Sequence, residues 1–402
     1  MPAAVASAVP LVSPYREPTL PRNPRHRRLP LTFLVVALGV LLVAGLFTTR
    51  VSRKMPDLEV YWTAAVRAGG AEPLYRVHDG HYQFKYLPAF AVIAIPAGAL
   101  PLPAAKAVWF CTSVTLLVAL VGLSLSVLPE RRKPTWILVT LTVLAMAKFF
   151  AHEVVLGQVN TLFAVIVAGA LLALRRERER TAGLLIALAI VVKPYAVIFL
   201  PWLLARRRLA SAGAASLALA GILVLPAAIY GVGGTVSEHR AWWKTVSEST
   251  RPNLTNADNV SVAAMFTKWL GEGPAAAGLT LGTSLLILAV LVAVFLMRRR
   301  APFPEGLEGA LLLTCIPLLS PQGWDYVFLV STPAIMYLVN YEDRLPPMLR
   351  LLTAVAIVTI AFSIYDLMGR AAYARFMSLS IVTICYLVVV GALSALRVRG
   401  AA

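Results

Sequence analysis

The stretch LPLTFLVVALGVLLVAGLFTTRVSRKMPDLEVYWTAAVRAGGAEPLY, residues 29–75, decides the fold class. Its first part, 29–49, is an apolar run of about 20 residues, the length that crosses a bilayer core of about 30 Å once. Arg50, Arg53 and Lys54 end the run in water or lipid headgroups. Pro56 then falls where the first turn of a helix tolerates a missing N–H, and Asp57 and Glu59 fall where the helix dipole favours acids. Leu58, Tyr61, Trp62, Ala65 and Ala68 recur at helical spacing, so one face is apolar. Gly69-Gly70 stops the helix. Such a helix is too short to span. It is expected to lie along the outer membrane surface and to hold Asp57 at the lipid–water boundary. On spacing alone, a surface linker helix with a dipole-satisfying Asp stays the alternative.

Composition extends this reading to the whole chain. Of 402 residues, 59% are hydrophobic and 14% charged, against about 25% charged in soluble domains. Backbone groups in lipid must be paired within the segment, and no barrel-like alternation is present, so the expectation is an all-α polytopic membrane protein. The net charge of +18 could suggest nucleic acid. Its distribution argues otherwise: 22 of the 37 Lys and Arg fall on segments assigned to the cytoplasm, the positive-inside bias. No nucleic-acid partner is expected. Cys111, Cys315 and Cys385 are far apart in apolar spans and are read as small core residues.

The expected organisation is a disordered cytoplasmic tail, 1–28, and a single integral membrane domain, 29–402. Arg131, Arg132 and Lys133 place the end of a helix at 103–128 inside, which leaves 84–100 on the external side without a crossing. Helices follow at 135–149 and 160–174, with an external turn at 151–160. The segment 181–205 reads as a helical hairpin broken at Lys193-Pro194, both arms too short to cross. A helix at 209–230 leads to a large external loop, 231–273. Further spans are expected at about 275–297, 307–319, 326–340, 351–367 and 376–396, giving about twelve membrane segments.

Polar residues gather on the external side. Lys193 is the most informative, because a charge deep in a membrane segment costs about 2.5–3.5 kcal/mol on insertion scales. Its partner is either a protein carboxylate or a bound phosphate. Asn160 is a helix cap or a site residue, and His152-Glu153 a pair or two solvated ends. Trp242, Trp243 and Trp324 fit an interfacial aromatic belt or a stacking platform.

Taken in order, Asp57 with Tyr61, Pro73-Leu74-Tyr75, Tyr86-Leu87-Pro88, Gly157-Gln158-Val159-Asn160, Gly183 with Lys193-Pro194, and Ser320-Pro321 with Trp324 resemble the polyprenol-phosphate-sugar-dependent glycosyltransferases of the GT-C fold. The resemblance is strongest to glycosyltransferase family 87, which includes bacterial mannosyltransferases. It implies a GT-C-like bundle with external juxtamembrane helices, 84–100 being the second of these. It implies a polyprenyl monophosphate sugar as donor, a lipid or glycan acceptor, and Asp57 as catalytic base. One departure stands out: a histidine often follows the tryptophan in this family, and here Asp325 and Tyr326 stand there.

The expected chemistry is inverting transfer of a hexose, with mannose as the family's example. Asp57 takes the acceptor proton, and Lys193 and Arg240 hold the donor phosphate. Glu59, Tyr61, Tyr86, Glu153, Gln158, Asn160, Asn259 and Trp324 are the expected substrate contacts. No carboxylate cluster resembles a metal cage, so the reading is metal-free, with a divalent cation left open. The expected location is a bacterial inner membrane, with the active site facing the periplasm or cell exterior. The competing class is a transporter or flippase for a lipid-linked or anionic substrate, since a broken hairpin with a buried lysine also suits a mid-membrane binding site.

Overall fold

The computed structural model describes residue 39, residues 44–297 and residues 302–400. The expected tail at 1–28, most of the first crossing and Arg298-Arg299-Arg300 lie outside the described residues. The chain divides at 49/50, and residues 50–402 form one compact unit that contains the whole site. The described residues are helical and contain no strand; Asn259 and Trp324 form an isolated bridge.

The helices are α1 Pro56–Gly69, α2 Pro88–Ile93, α3 Leu102–Val127, α4 Thr135–Leu156, α5 Asn160–Arg175, α6 Glu179–Val192, α7 Phe199–Ala205 and α8 Leu209–Val224. Then come α9 Ala227–Thr250, α10 Val262–Leu270, α11 Pro274–Leu296, α12 Pro304–Leu319, α13 Thr332–Tyr341, α14 Pro347–Phe362, α15 Arg370–Ser378 and α16 Ile381–Val398. Among the described residues four of them, α3, α4, α11 and α16, are long and apolar enough to cross a membrane. Leu281, Leu285, Leu286, Val292 and Leu296 of α11 are exposed. In a membrane protein such an apolar outer face meets lipid. At the centre, every residue of α12 from Glu305 to Leu318 is buried.

Three segments differ from the sequence reading. Helix α4 runs to Leu156, so His152 and Glu153 lie in its last turns and not in an external turn. The region read as a loop, 231–273, begins with most of α9, which turns 91° away from α8. The apolar segment 84–100 breaks into helices of six and four residues, too short to cross, as its charge context required.

Small residues set the closest approach. A Cβ on Gly183 of α6 would stand 2.2 Å from the Ser211 carbonyl oxygen of α8. Close contact of this kind is how membrane helices pack without a hydrophobic gradient between them. At the far end of α6, Pro194 forces its predecessor out of the helical region. Lys193 accordingly has φ −145° and ψ 105°, and the chain resumes as a 3-10 turn, Pro194–Ile198. Opposite charges tie the other ends of the helices. Glu308, fully buried in α12, accepts from Arg397 Nε of α16 at 2.8 Å and from Trp202 Nε1 of α7 at 3.0 Å, and pairs with Arg206.

Candidate active site

Asp57 is placed by a contact between the start of α1 and the end of α4. Met55, buried and left-handed at φ 66°, donates its N–H to the Val155 carbonyl at 2.9 Å. Gly157 ends α4 at φ +70°, and a Cβ there would lie 2.8 Å from Leu58 Cβ and 3.0 Å from Met55 Cβ. Only glycine meets both conditions, the left-handed backbone and the close approach. The turn 157–160 therefore fixes both the first turn of α1 and the side chain of Gln158.

From Gln158 a hydrogen-bonded chain runs to Lys193. The Lys193 ammonium donates to Tyr86 Oη at 2.7 Å, and Tyr86 Oη lies 2.7 Å from Tyr61 Oη. Tyr61 Oη donates to Gln158 Oε1 at 2.9 Å, and Gln158 Nε2 donates to Tyr326 Oη at 3.4 Å. Tyr86 Oη, which accepts from Lys193, has its own proton to offer to Tyr61 Oη or, at 3.5 Å, to Gln158 Oε1, so the two phenols and the amide share one network. Burial pushes the Tyr61 and Tyr86 hydroxyls above the ordinary tyrosine range, so both stay neutral donors. Tyr86 stacks on Phe90 at 5.0 Å, and Tyr75 Oη donates to the Tyr86 carbonyl at 2.6 Å. The tyrosines of three separate sequence motifs thus form one support.

A cavity of about 350 Å³ opens over this support. Asp57, Tyr61, Lys85, Tyr86, Gln158, Lys193, Trp242 and Trp324 line it, with Gln322 and Tyr326. The carboxylate and the sunken ammonium therefore border the same space. Lys85 brings a second ammonium. Burial lowers its pKa from the ordinary lysine value, and the charge of Asp57 partly opposes this.

The other expected site residues stand elsewhere. Glu153 is fully buried and accepts from Asn160 Nδ2 at 2.9 Å and from the Thr161 N–H at 2.7 Å. It caps the start of α5 from the neighbouring helix, and Asn160 is its partner. Asn259, also fully buried, donates to the carbonyls of Asn253 at 2.9 Å and Pro321 at 2.8 Å. With the Val260 N–H on the Gly323 carbonyl at 2.7 Å, it ties down the loop that presents Trp324. Glu59 pairs with Lys106 at 2.6 Å on the flank of α1 away from the cavity. Arg240 is exposed and lines a separate apolar hollow with Trp243.

Asp325 faces away from the cavity that its neighbours Trp324 and Tyr326 line. It is 2% exposed, with Lys148 Nζ at 3.7 Å and His152 Nδ1 at 3.9 Å. The departure at this position is thus a buried charge pair behind the loop. Lys85, Trp242, Gln322 and Tyr326 are among the cavity residues that the sequence does not assign to the site. The signal for Lys85 was its place directly before the Tyr86-Leu87-Pro88 motif. Trp242 holds that position by donating Nε1 to the Lys85 carbonyl at 3.1 Å.

The chain matches the sequence model of glycosyltransferase family 87 over residues 84–321, more than half its length. It belongs to that family. A family 87 chain is a glycosyltransferase, and the apolar helices make this one a membrane glycosyltransferase. No curated protein matches it. Among solved structures it is similar to ArnT from Cupriavidus metallidurans bound to undecaprenyl phosphate, at 16% identity and a TM-score of 0.44, covering 94% of this chain and 78% of that one. That superposition is too loose to transfer residues between the two. The family match spans Tyr86, Gln158, Lys193 and Trp242 of the cavity, while Asp57 lies before it and Trp324 after it.

Proposed function

We propose that this family 87 enzyme transfers a hexose, mannose being the family's example, from a polyprenyl monophosphate sugar to an acceptor hydroxyl at the outer face of a bacterial inner membrane. The observation that carries the reading is the shared cavity, with the Asp57 carboxylate and the ammonium groups of Lys193 and Lys85 on its walls. Asp57 takes the proton of the acceptor hydroxyl. The acceptor oxygen bonds to the anomeric carbon as the bond from that carbon to the phosphate oxygen breaks. The electron pair leaves with the polyprenyl phosphate, and attack opposite the leaving group inverts the centre. A phosphate needs little protonation to leave but gains charge as it does, so cations in a low-dielectric cavity act where charge develops. Lys85 takes the place that the sequence reading gave to Arg240.

Lys193 contributes its charge from a fixed position, because Tyr86 holds its ammonium. Lys193→Met is expected to weaken donor binding by about tenfold to a hundredfold, the worth of one charge-assisted hydrogen bond. Binding of a polyprenyl-phosphate sugar to protein in nanodiscs measures this, and unchanged affinity removes Lys193 from the site. Lys85 adds a pH signature. Its lowered pKa means that it loses its proton at a lower pH than an ordinary lysine, so donor affinity falls as pH rises through that point. Lys85→Arg should move the loss to higher pH.

A further inference from the structure

A second hollow of about 340 Å³ lies on the other flank of α1. Pro56, Glu59, Val60, Thr63, Arg67, Asp79, Tyr82 and Phe84 line it, and it shares Val60 and Tyr82 with the first cavity. Glu59, Thr63 and Arg67 are spaced four residues apart, so they form one stripe along the helix, and Val60 stands one turn from Asp57. Both spaces are bordered by Val60 and Tyr82, and Asp57, which lines the first, lies one turn before Val60 on the same helix.

Their charges differ in kind. In the first cavity two ammonium groups, Lys193 and Lys85, line the wall against the single carboxylate of Asp57, and Lys193 also donates to the neutral phenol of Tyr86. In the second, Arg67, the basic residue among its lining, and the adjacent Lys106 are already matched. Arg67 holds Asp79 through two bonds of 2.5 and 2.9 Å, and Lys106 holds Glu59 at 2.6 Å. The Arg67 guanidinium keeps the Asp79 carboxyl below the usual carboxylate range. An incoming anion would find no free positive charge here and two carboxylates against it. A hydroxylated ligand would find acceptors for its O–H groups in Glu59 and Asp79 and a hydroxyl in Thr63.

We propose that this second hollow seats the acceptor, and that the acceptor is a neutral, polyhydroxylated headgroup such as a sugar, not an anionic one. This rests on the glycosyl-transfer reading, which assigns the lysine-lined cavity to the donor. An acceptor sugar held along Glu59, Thr63 and Asp79 would extend one hydroxyl past Val60 and Tyr82 to Asp57. The lysine cavity is then left to the donor phosphate, and the two substrates meet at the carboxylate from opposite flanks of one helix.

Occupancy can be read without turnover. Cys111 is the exposed native cysteine among the described residues, while Cys315 and Cys385 are buried. Thr63→Cys in a Cys111→Ser background therefore gives a single accessible thiol in the hollow. Octyl β-glucoside is expected to slow maleimide labelling of that thiol, and octyl β-glucuronide, its C6-carboxylate counterpart, to leave it unchanged. Equal protection by both, or protection by neither, would overturn the proposal. In a transfer assay with octyl α-mannoside as acceptor, Thr63→Trp should raise the acceptor KM about tenfold or more and leave the donor KM nearly unchanged. An unchanged acceptor KM would also overturn it. Labelling does not depend on catalysis, so a failure of the transfer reading, seen as no product from the unaltered chain, is distinguishable from a failure of this one.

Discussion

Asp57→Asn is expected to fold and to bind the donor lipid as the unaltered chain does, and to lose transfer by about 10²–10⁴-fold, the span attributed to a positioned general base. The fold survives because what seats the first turn of α1 is backbone. The Met55 N–H bonds the Val155 carbonyl, and Gly157 packs under Leu58. The helix-dipole share of the lost charge is about 0.3–1 kcal/mol. The amide keeps the volume and polarity of the acid but cannot accept the proton of an acceptor hydroxyl. The substitution thus separates chemistry from architecture. Initial rates at saturating donor, beside thermal unfolding in the same nanodiscs, measure both. Turnover near normal with an unchanged melting curve would remove Asp57 from the role of base.

Glu308→Ala is the substitution expected to damage the fold most. Glu308 is fully buried, and three side chains converge on its carboxylate: Arg397 of α16, which is 1% exposed, and Trp202 and Arg206 of α7 and its C-terminal end. Truncation leaves Arg397 and Arg206 without the carboxylate that both share. Breaking a buried pair from one side costs about 3–5 kcal/mol, which is a large share of the stability of any domain. Glu308→Gln should recover part of the loss, because an amide oxygen still accepts from one arginine or from Trp202 Nε1. The unfolding midpoint of purified protein in one detergent measures the series. A midpoint for Glu308→Ala equal to that of the unaltered chain would show that the arginines find other partners at no cost.

The membrane character of the chain and one wall of the cavity were legible from residue types at fixed spacing. A lysine before a proline inside an apolar run cannot continue the helix, so the break at Lys193 could be read directly. The ordered tyrosine and glutamine motifs named the members of the hydrogen-bonded chain, though not their order. The end of α4 was also readable: Gly157 is a helix stop, and the residues before it are compatible with helix. The polarity of His152-Glu153 favours a turn, and the helix stop at Gly157 outweighs it. Glu153, Asn160 and Asn259 show what spacing cannot supply. Each is a polar residue of the kind that touches substrates, yet Glu153 is spent on the start of α5 and on Asn160, and Asn259 on backbone carbonyls that include one in the 320–325 loop. Arg240 lies on the wrong face of a helix that had been read as loop, and without the helix no face could be assigned. Lys85 was hidden for the opposite reason. It sits in an irregular segment, and its position depends on Trp242, distant in sequence.

If the cavity bordered by Asp57, Lys85 and Lys193 moves a sugar from a polyprenyl phosphate to a hydroxyl, the transfer is visible in vitro. Purified protein in nanodiscs, incubated with radiolabelled polyprenyl-phosphate-mannose and a membrane lipid extract, tests it most directly. The expected result is a labelled product that carries mannose in the inverted configuration, together with released polyprenyl phosphate. No product from polyprenyl-phosphate sugars, or movement of the intact labelled lipid across vesicles without product, would contradict it.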